Sequence, residues 1–380
     1  MKNVVIAGYA RSPFHLANKG GLTKVRPEDL AGQVVKALVD RTGVKTDDLE
    51  DLIVGNAFPE GEQGFNVARI IGFVAGLPLS MGAVTVNRFC GSSMQAVHQA
   101  AGAIQLGAGD AFLCAGVESM TRVPIMGFNP MPHPGLYTSY PQAFVGMGDT
   151  AENLAAKYQI SRADQEAFAA ASHAKAAKAQ AEGRFDAEMV TITDAKGAQI
   201  SADGCIRPET TAETLASLKP AFNAEGTVTA GTSSPLTDGA AAVLVCSEDY
   251  AMKHGLTPLA RIKSVAVSGC APEIMGIGPV ESTRKALARA GLTVADIDII
   301  ELNEAFASQS LACIRDLGLP LDRINLDGGA IALGHPLGAT GARIVGKAAS
   351  LLKREGGRYA LATQCIGGGQ GIATVLEAVA

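Results

Sequence analysis

The feature that most restricts the folds open to this chain is an internal echo. Lys36-Ala37-Leu38 leads through Gly43 to Leu52-Ile53-Val54-Gly55-Asn56-Ala57-Phe58, and Lys285-Ala286-Leu287 leads through Gly291 to Ile299-Ile300-Glu301-Leu302-Asn303-Glu304-Ala305-Phe306. The spacing nearly repeats: thirteen residues separate Gly43 from Asn56, and twelve separate Gly291 from Asn303. Each asparagine is followed by a glycine-rich turn that carries a reactive side chain and opens a helix of small residues. The first is Cys90-Gly91-Ser92-Ser93, thirty-four residues on, and the second is His335-Pro336-Leu337-Gly338, thirty-two residues on. Self-similarity at matched intervals marks a repeated supersecondary unit. Two copies of one α/β unit facing each other are therefore expected, with reactive groups supplied by both and the site between them.

The apolar runs Asp51-Leu52-Ile53-Val54, Ala111-Phe112-Leu113-Cys114-Ala115 and Ile297-Asp298-Ile299-Ile300 alternate with helix-period segments, the pattern of strands joined by crossover helices. A mostly parallel sheet is predicted. Trp is absent and aromatics make up only 5% of the chain, so helices must meet sheets through small residues, as α/β layers allow. With 380 residues, 47% of them hydrophobic, the chain can bury two such units. From about Thr121 to Ser233 the pattern changes to Pro-, Gly- and Met-rich loops around Met126 to Met147, plus one long helical stretch. Ser161-Arg162-Ala163-Asp164 signals the start of that helix and Gly183 its stop. The domain plan read from this is an N-terminal half of residues 1–120 and 234–255, an inserted lid of 121–233, and a C-terminal half of 256–380. Loop-rich insertions in a compact α/β body are where substrate contacts are usually made.

Several function classes are excluded. The formal net charge is -5 and Lys and Arg are scattered, so no basic stripe exists for nucleic acid. Gly and charged residues break every apolar stretch short of the ~20 residues of a membrane span. The run Val4 to Ala7 is too brief for a signal h-region, so a cytoplasmic protein is expected. Seven cysteines without a CxxC pair argue against a disulfide framework and a structural zinc site, and most are expected to be buried thiols in a reducing compartment.

Three positions carry chemistry. Cys90 stands where the extended run Val84-Thr85-Val86 meets a helix beginning near Ser92, which puts its sulfur at a helix N-terminus. There the unpaired N–H groups favour a thiolate and can receive an oxyanion. A lone cysteine is ordinarily a buried structural thiol; the strand–glycine–helix setting favours a nucleophile. Of the six histidines only His335 sits in a loop so rich in glycine, Asp327-Gly328-Gly329 to Gly341, that backbone must approach something closely. It is placed to act as a base, whereas His98 and His173 fall in helical patterns and His15, His133 and His254 near turns. Cys365, in Gln364-Cys365-Ile366-Gly367-Gly368-Gly369, ends a strand and opens a glycine turn. That turn is not a phosphate loop, because a strand-like run, Ile372-Ala373-Thr374-Val375, follows it and no helix does. Two cysteines and a histidine on three strand-to-turn junctions fit nucleophile, base and second acid/base better than a metal site, which remains the alternative.

The blocks around Cys90, Asn303-Glu304-Ala305-Phe306-Ala307, Gly334-His335-Pro336 and Cys365-Ile366-Gly367-Gly368-Gly369 resemble the signature blocks of thiolases, in order and over essentially the whole chain. The resemblance implies an α/β fold of two duplicated halves in a five-layered αβαβα arrangement with a loop domain over the site, and a dimer as the minimal assembly. It implies Cys90 as the acylated nucleophile, His335 as its base and Cys365 as the acid/base at C2. Asn303 would hold a water that stabilises the enolate oxygen with His335, and the N–H groups of Cys90 and Gly367 would form a second oxyanion hole. Gly146-Met147-Gly148 and Thr229-Ala230-Gly231-Thr232-Ser233-Ser234 resemble the segments lining the pantetheine tunnel. Met147, Ala230, Gly231, Ser234 and Phe306 would thus bind substrate, and Arg207 would stand near the CoA nucleotide. Biosynthetic thiolases commonly have a histidine before that methionine, where this chain has Gly146, and the blocks Asn87 to Gln95 and Ile206 to Thr211 resemble degradative thiolases of fatty acid β-oxidation more closely.

The activity implied is thiolytic cleavage of a 3-ketoacyl-CoA by CoA, an acyltransferase reaction with CoA as co-substrate and no permanently bound cofactor or metal. Condensation of two acetyl-CoA to acetoacetyl-CoA is the alternative direction. A decarboxylating ketoacyl synthase would pair its cysteine with two histidines, or a His and an Asn, and the Cys365-Gly-Gly-Gly block speaks against it. A non-catalytic lipid-binding relative would have lost Cys90, His335 or Cys365. Expected partners are acyl-CoA substrates, a second copy of the chain, two dimers paired as a tetramer, and a β-oxidation multienzyme complex.

Overall fold

In the computed structural model, which describes residues 2–379, the two echoed segments become matching strand-and-helix units. The first contains β1 (Val4–Arg11), β2 (His15–Leu16), α1 (Pro27–Thr42), β3 (Asp51–Gly55), α2 (Val67–Val74), β4 (Gly82–Val86), α3 (Ser92–Leu106) and β5 (Ala111–Ser119). An intervening segment carries α4 (Pro134–Ser139), α5 (Met147–Lys157), α6 (Arg162–Ala181), β6 (Ile192–Thr193), β7 (Gln199–Ile200) and α7 (Ala212–Ala216) before β8 (Thr237–Ser247) rejoins the first unit. After α8 (Glu248–Lys253) the second unit runs β9 (Ala260–Gly269), α9 (Gly278–Ala290), β10 (Ile299–Leu302), α10 (Ala307–Leu317), α11 (Ala330–Leu333), α12 (Leu337–Glu355), β11 (Tyr359–Ile366) and β12 (Gln370–Glu377).

The echo has a local cause. Gly43 and Gly291, with φ of 67° and 69°, end α1 and α9 in the left-handed conformation that glycine adopts without a Cβ penalty, and each chain then turns back into a strand. Helix α6 begins at Ser161, whose side chain accepts from Asp164 N–H while Asp164 reciprocates, and Gly183 follows its end with a φ of 68°.

Ten strands form one sheet in the order β10-β11-β12-β9-β1-β8-β5-β3-β4, with β2 paired to β8, and β6 and β7 pair separately. The mostly parallel sheet expected from the sequence is not found. Only β3–β4, β3–β5 and β10–β11 are parallel; β1–β8, β5–β8, β1–β9, β9–β12 and β11–β12 are antiparallel. Crossover helices impose parallel pairing only within a unit. Strands β11 and β12 are joined by three glycines, too short for a crossover, and β8 returns from the intervening segment with no crossover to orient it.

The two half-sheets touch through a short β1–β9 ladder, Val5 opposite Arg261 and Ile6 opposite Ala260, and otherwise stack face to face. Helices α3 and α12 lie side by side between them, α1 and α2 cover the first outer face, and α9 and α10 the second. The layers are therefore αβαβα. Three apolar cores correspond to them: Val34, Val35 and Leu38 against Leu113 and Leu244; Met94, Val97, Ile344 and Val345 against Ile6, Phe112 and Ala362; and Val280 and Leu287 against Ile300 and Leu361. Strand β5 is buried along its whole length because it is covered on both faces, which explains its unbroken apolar run.

The central helices approach the strands at van der Waals limits. A Cβ on Gly116 would lie 2.1 Å from the Gly338 carbonyl oxygen, and one on Gly341 2.2 Å from the Met94 nitrogen. Gly116→Ala is expected to destabilise the protein by about 1–3 kcal/mol or more, read as a lower urea midpoint. Gly102→Ala, on the exposed side of α3 with no neighbour within 4 Å, is expected to be neutral or stabilising.

Candidate active site

Between the end of β4 and the start of α3 only residues 87–91 are available, and the chain turns sharply there. Phe89 has a φ of 42°, rare for a bulky residue. The turn is held by Phe89 N–H donating to Asn87 Oδ1 (2.8 Å), Arg88 N–H to Ser92 Oγ (2.9 Å), and Ser92 Oγ–H to the Phe89 carbonyl (2.6 Å). Cys90 is thereby set at the N-terminal end of the 15-residue α3. The backbone N–H groups of Gly367 and of Cys90 itself favour its thiolate form. Burial pushes the thiol up to about 11; those N–H groups act against it, and the charge of Glu118 adds to it. Gln364, from β11 in the other unit, donates its side-chain N–H to the Cys90 carbonyl.

His335 lies between α11 and α12, following Gly334, whose φ of 102° is open only to glycine. Its N–H donates to Thr237 Oγ1 (3.0 Å). The ring tautomer follows from one hydroxyl: Thr340 donates its only hydrogen to the Pro336 carbonyl (2.9 Å), so at 2.6 Å it can only accept from His335 Nδ1–H. Nε2 therefore keeps its lone pair, facing Asn303 Nδ2 at 3.4 Å. Burial, with Arg343 adding to it, lowers the imidazole to about 3, so it is neutral throughout the physiological range. Asn303 Oδ1 is buried and has no partner among the described residues.

Cys365, the penultimate residue of β11, is 1% exposed. Burial and the nearby Cys90 hold its thiol well above the usual range, so it carries its proton. It packs with Met147, Met275 and Phe306 in a small apolar cluster. Asn303 and Cys365 stand at the C-terminal ends of adjacent strands β10 and β11, and Ala342 N–H donates to Ser93 Oγ (2.8 Å), tying the start of α12 to the start of α3. An acceptor nitrogen, a proton-bearing thiol and a thiol whose thiolate form two N–H groups favour are the parts of a covalent acyl-transfer centre.

The remaining expected site residues divide. Met147 and Phe306 join the reaction centre through Cys365. Arg207, Ala230 and Gly231 line a separate cavity of about 380 Å³ with Thr210, Thr214 and Leu218. Ser234 lies between the two groups, its N–H donating to the Ala305 carbonyl beside Phe306 (2.9 Å). Arg207 is held by the buried His173, to which its backbone N–H donates at 3.2 Å.

Comparison with known proteins gives this geometry a family. The descriptions Thiolase, N-terminal domain and Thiolase, C-terminal domain match residues 4–249 and 256–378. The chain belongs to the thiolase family. A 3-ketoacyl-CoA thiolase of Bacillus subtilis is 48% identical over 99% of this chain and 100% of its own length, and one of Shewanella denitrificans is 53% identical over the full length of both. The crystal structure of human mitochondrial 3-ketoacyl-CoA thiolase in complex with CoA superposes with a TM-score of 0.91 at 39% identity, covering 100% of this chain and 98% of that one. The Bacillus anthracis acetyl-CoA acetyltransferase superposes with a TM-score of 0.92 at 39% identity, covering 100% and 99%.

In this thiolase, sequence reasoning passed over three side chains that touch the site. Thr340 sets the His335 tautomer, Gln364 braces Cys90, and Glu118 is an ionisable group buried without exposure at the end of an otherwise apolar strand. Only Glu118 left a signal, a carboxylate closing the apolar run from Ala111 to Val117. With the thiol raised to about 11, Cys90 thiolate is scarce at neutral pH unless a base takes the proton. In His335→Ala, acylation of Cys90 by acetoacetyl-CoA at pH 7.5 is expected to slow by about tenfold or more, and to recover as pH rises toward the thiol's own titration. Mass spectrometry of the Cys90 peptide measures it; an unchanged rate removes His335 from the role of base.

Proposed function

We propose that this thiolase cleaves 3-ketoacyl-CoA with CoA to give acetyl-CoA and a shortened acyl-CoA, through an acyl-Cys90 intermediate. The observation that carries the reading is Cys90 at the N-terminal end of α3 with its carbonyl held by Gln364, the chain neighbour of the proton-bearing Cys365, while the backbone N–H groups of Gly367 and Cys90 favour its thiolate. His335 Nε2 takes the Cys90 proton as the sulfur adds to the C3 carbonyl. The alkoxide is received by the N–H groups of Cys90 and Gly367, and the C2–C3 bond then breaks. The electron pair moves onto the acetyl-CoA fragment as an enolate, stabilised by His335 and a water on Asn303, and Cys365 protonates its C2. Cys365 thiolate next takes the proton of incoming CoA, whose sulfur attacks the acyl group and expels Cys90 as a thiolate, which takes back the proton held on His335. The substrate thioester stabilises the carbanion, so the cycle runs with CoA as co-substrate alone.

Met147, Phe306 and Ser234 would flank the pantetheine arm, and the cavity at Arg207, Ala230 and Gly231 would take the nucleotide end. The degradative direction, in fatty acid β-oxidation, is supported by the names of the relatives and by Gly146. The domain plan of residues 1–120 with 234–255, 121–233 and 256–380 accounts for β8 rejoining the first unit after the intervening segment. A cytoplasmic homodimer belongs to the same proposal. Among the described residues no helix is long and apolar enough to cross a membrane. Strand β4 is an unpaired sheet edge, and Phe65, Phe73, Leu79 and Val84 near it are exposed, an apolar face that a second copy would cover. Light scattering is expected to give twice the chain mass, and Val84→Lys to shift it toward the monomer; a wild-type monomer refutes the dimer.

Wild type is expected to cleave acetoacetyl-CoA and longer 3-ketoacyl-CoAs and to accumulate an acyl adduct on Cys90. Cys90→Ala is expected to lose at least about a thousandfold in kcat. Activity confined to acetoacetyl-CoA would assign the acetyl-transferring reaction instead, and retained activity in the variant would overturn the mechanism.

A further inference from the structure

The two units can be superimposed residue by residue from their strand registers. Gly55 of β3 faces Gly116 of β5, and Leu302 of β10 faces Thr363 of β11. Asn56 and Asn303 each follow the first member of these pairs, while Glu118 and Cys365 stand two residues beyond the second. Asn303, His335 and Cys365 in the second unit thus correspond to Asn56, Cys90 and Glu118 in the first. Cys90 is the member of the first set that the proposed mechanism uses, which leaves Glu118 as the counterpart of the acid/base with no assigned task.

Its surroundings are unlike those of a structural ion pair. Glu118 is fully buried and accepts from five neutral donors: Ala57 N–H (2.9 Å), Phe58 N–H (3.4 Å), Asn56 Nδ2 (3.3 Å), Gln63 Nε2 (2.8 Å) and Gly338 N–H (2.9 Å). The last donor belongs to the other unit. Gly338 is the second residue of α12, three residues after His335, so the carboxylate caps the helix that carries the His335 partner Thr340. In return Gln364, beside Cys365, reaches from the second unit to the Cys90 carbonyl. Each unit therefore holds the reactive turn of the other.

We propose that Glu118 is a positioning residue for the reaction, fixing the His335 turn against the first unit and setting the charge felt by Cys90. This rests on the proposed roles of Cys90 and His335. Burial first, and the carboxylate in addition, disfavour a free thiolate at Cys90, so the sulfur keeps its proton until His335 removes it toward substrate; burial also pushes Glu118 itself up to about 7. Charge and reach can be separated by substitution. Glu118→Gln keeps the size, removes the charge and turns an N–H₂ toward donors. Glu118→Asp keeps the charge but is one methylene short of spanning Ala57 and Gly338.

Full-length variants would be assayed for thiolysis of acetoacetyl-CoA and for the pH dependence of iodoacetamide alkylation at Cys90. Glu118→Gln is expected to lower kcat about tenfold or more with the KM for CoA within about threefold, while its alkylation midpoint moves to lower pH by about half a unit. A more reactive thiol with slower turnover is a combination that loss of stability alone does not produce. Glu118→Asp is expected to lose kcat with the wild-type alkylation midpoint. Wild-type kcat in either folded variant, or a loss in Glu118→Gln without the shift to lower pH, overturns the proposal. If Glu118→Gln does not fold, kcat in Glu118→Asp decides. Protection of wild-type Cys90 by acetoacetyl-CoA is the separate control: without it the catalytic reading itself fails, whatever Glu118 does.

Discussion

Everything at the candidate site depends on how closely α3 and α12 are packed between the two half-sheets. Gly55 leaves 2.2 Å between a would-be Cβ and the Ser93 nitrogen, and Gly116 leaves 2.1 Å to the Gly338 oxygen. Side chains at these positions would push the helix starts apart, and with them the turns bearing Cys90 and His335. Helix N-termini carry unpaired N–H groups and positive potential, so placing two of them together is costly unless acceptors intervene. The Glu118 carboxylate is such an acceptor, on Gly338 N–H, and Ser93 Oγ joins the two helices by accepting from Ala342 N–H in the second turn of α12.

Burial sets the protonation states that such a site starts from. It raises both thiols and lowers the imidazole, so the resting centre is neutral: Cys90 as thiol, His335 as free base, Cys365 as thiol. In the proposed reaction a proton would move only when substrate supplies somewhere for the charge to go, and the N–H groups of Cys90 and Gly367 would mark that place. Withholding the thiolate also protects the half-buried Cys90 from other electrophiles.

The intervening segment is held to this centre by charge. Arg11 in β1 pairs with Glu188 (2.7 Å) and Asp203 (2.8 Å), and Lys347 in α12 with Glu188 (3.0 Å) and Asp327 (2.7 Å), all of them buried. Burial alone would raise Asp327, but Arg354 and Lys347 outweigh it and hold its carboxyl at about 2. Such pairs give orientation more than net stability, because desolvation offsets most of their attraction. These pairs anchor the later part of the intervening segment, while its stretch from Val123 to Gly148, without Asp, Glu, Lys or Arg, exposes Met126, Phe128 and Tyr137.

Local pattern determined a good deal by itself. The repeated Gly-to-Asn spacing announced two equivalent units because each glycine must end a helix in a left-handed turn before a strand of fixed length. The strand–turn–helix setting picked out Cys90, and the glycine-rich loop picked out His335. These signals are legible because they arise from backbone geometry within a few residues. Strand direction was not legible: the length of the link between β11 and β12 and the late return of β8 made most pairs antiparallel. Nor were the roles of Thr340, Gln364 and Glu118, since what each does is decided by an atom far away in the chain or by a competing hydrogen bond. Residues 118 and 338, or 90 and 364, meet only after two sheets have closed on two helices, and a buried carboxylate or amide takes its meaning from the donors that packing brings to it.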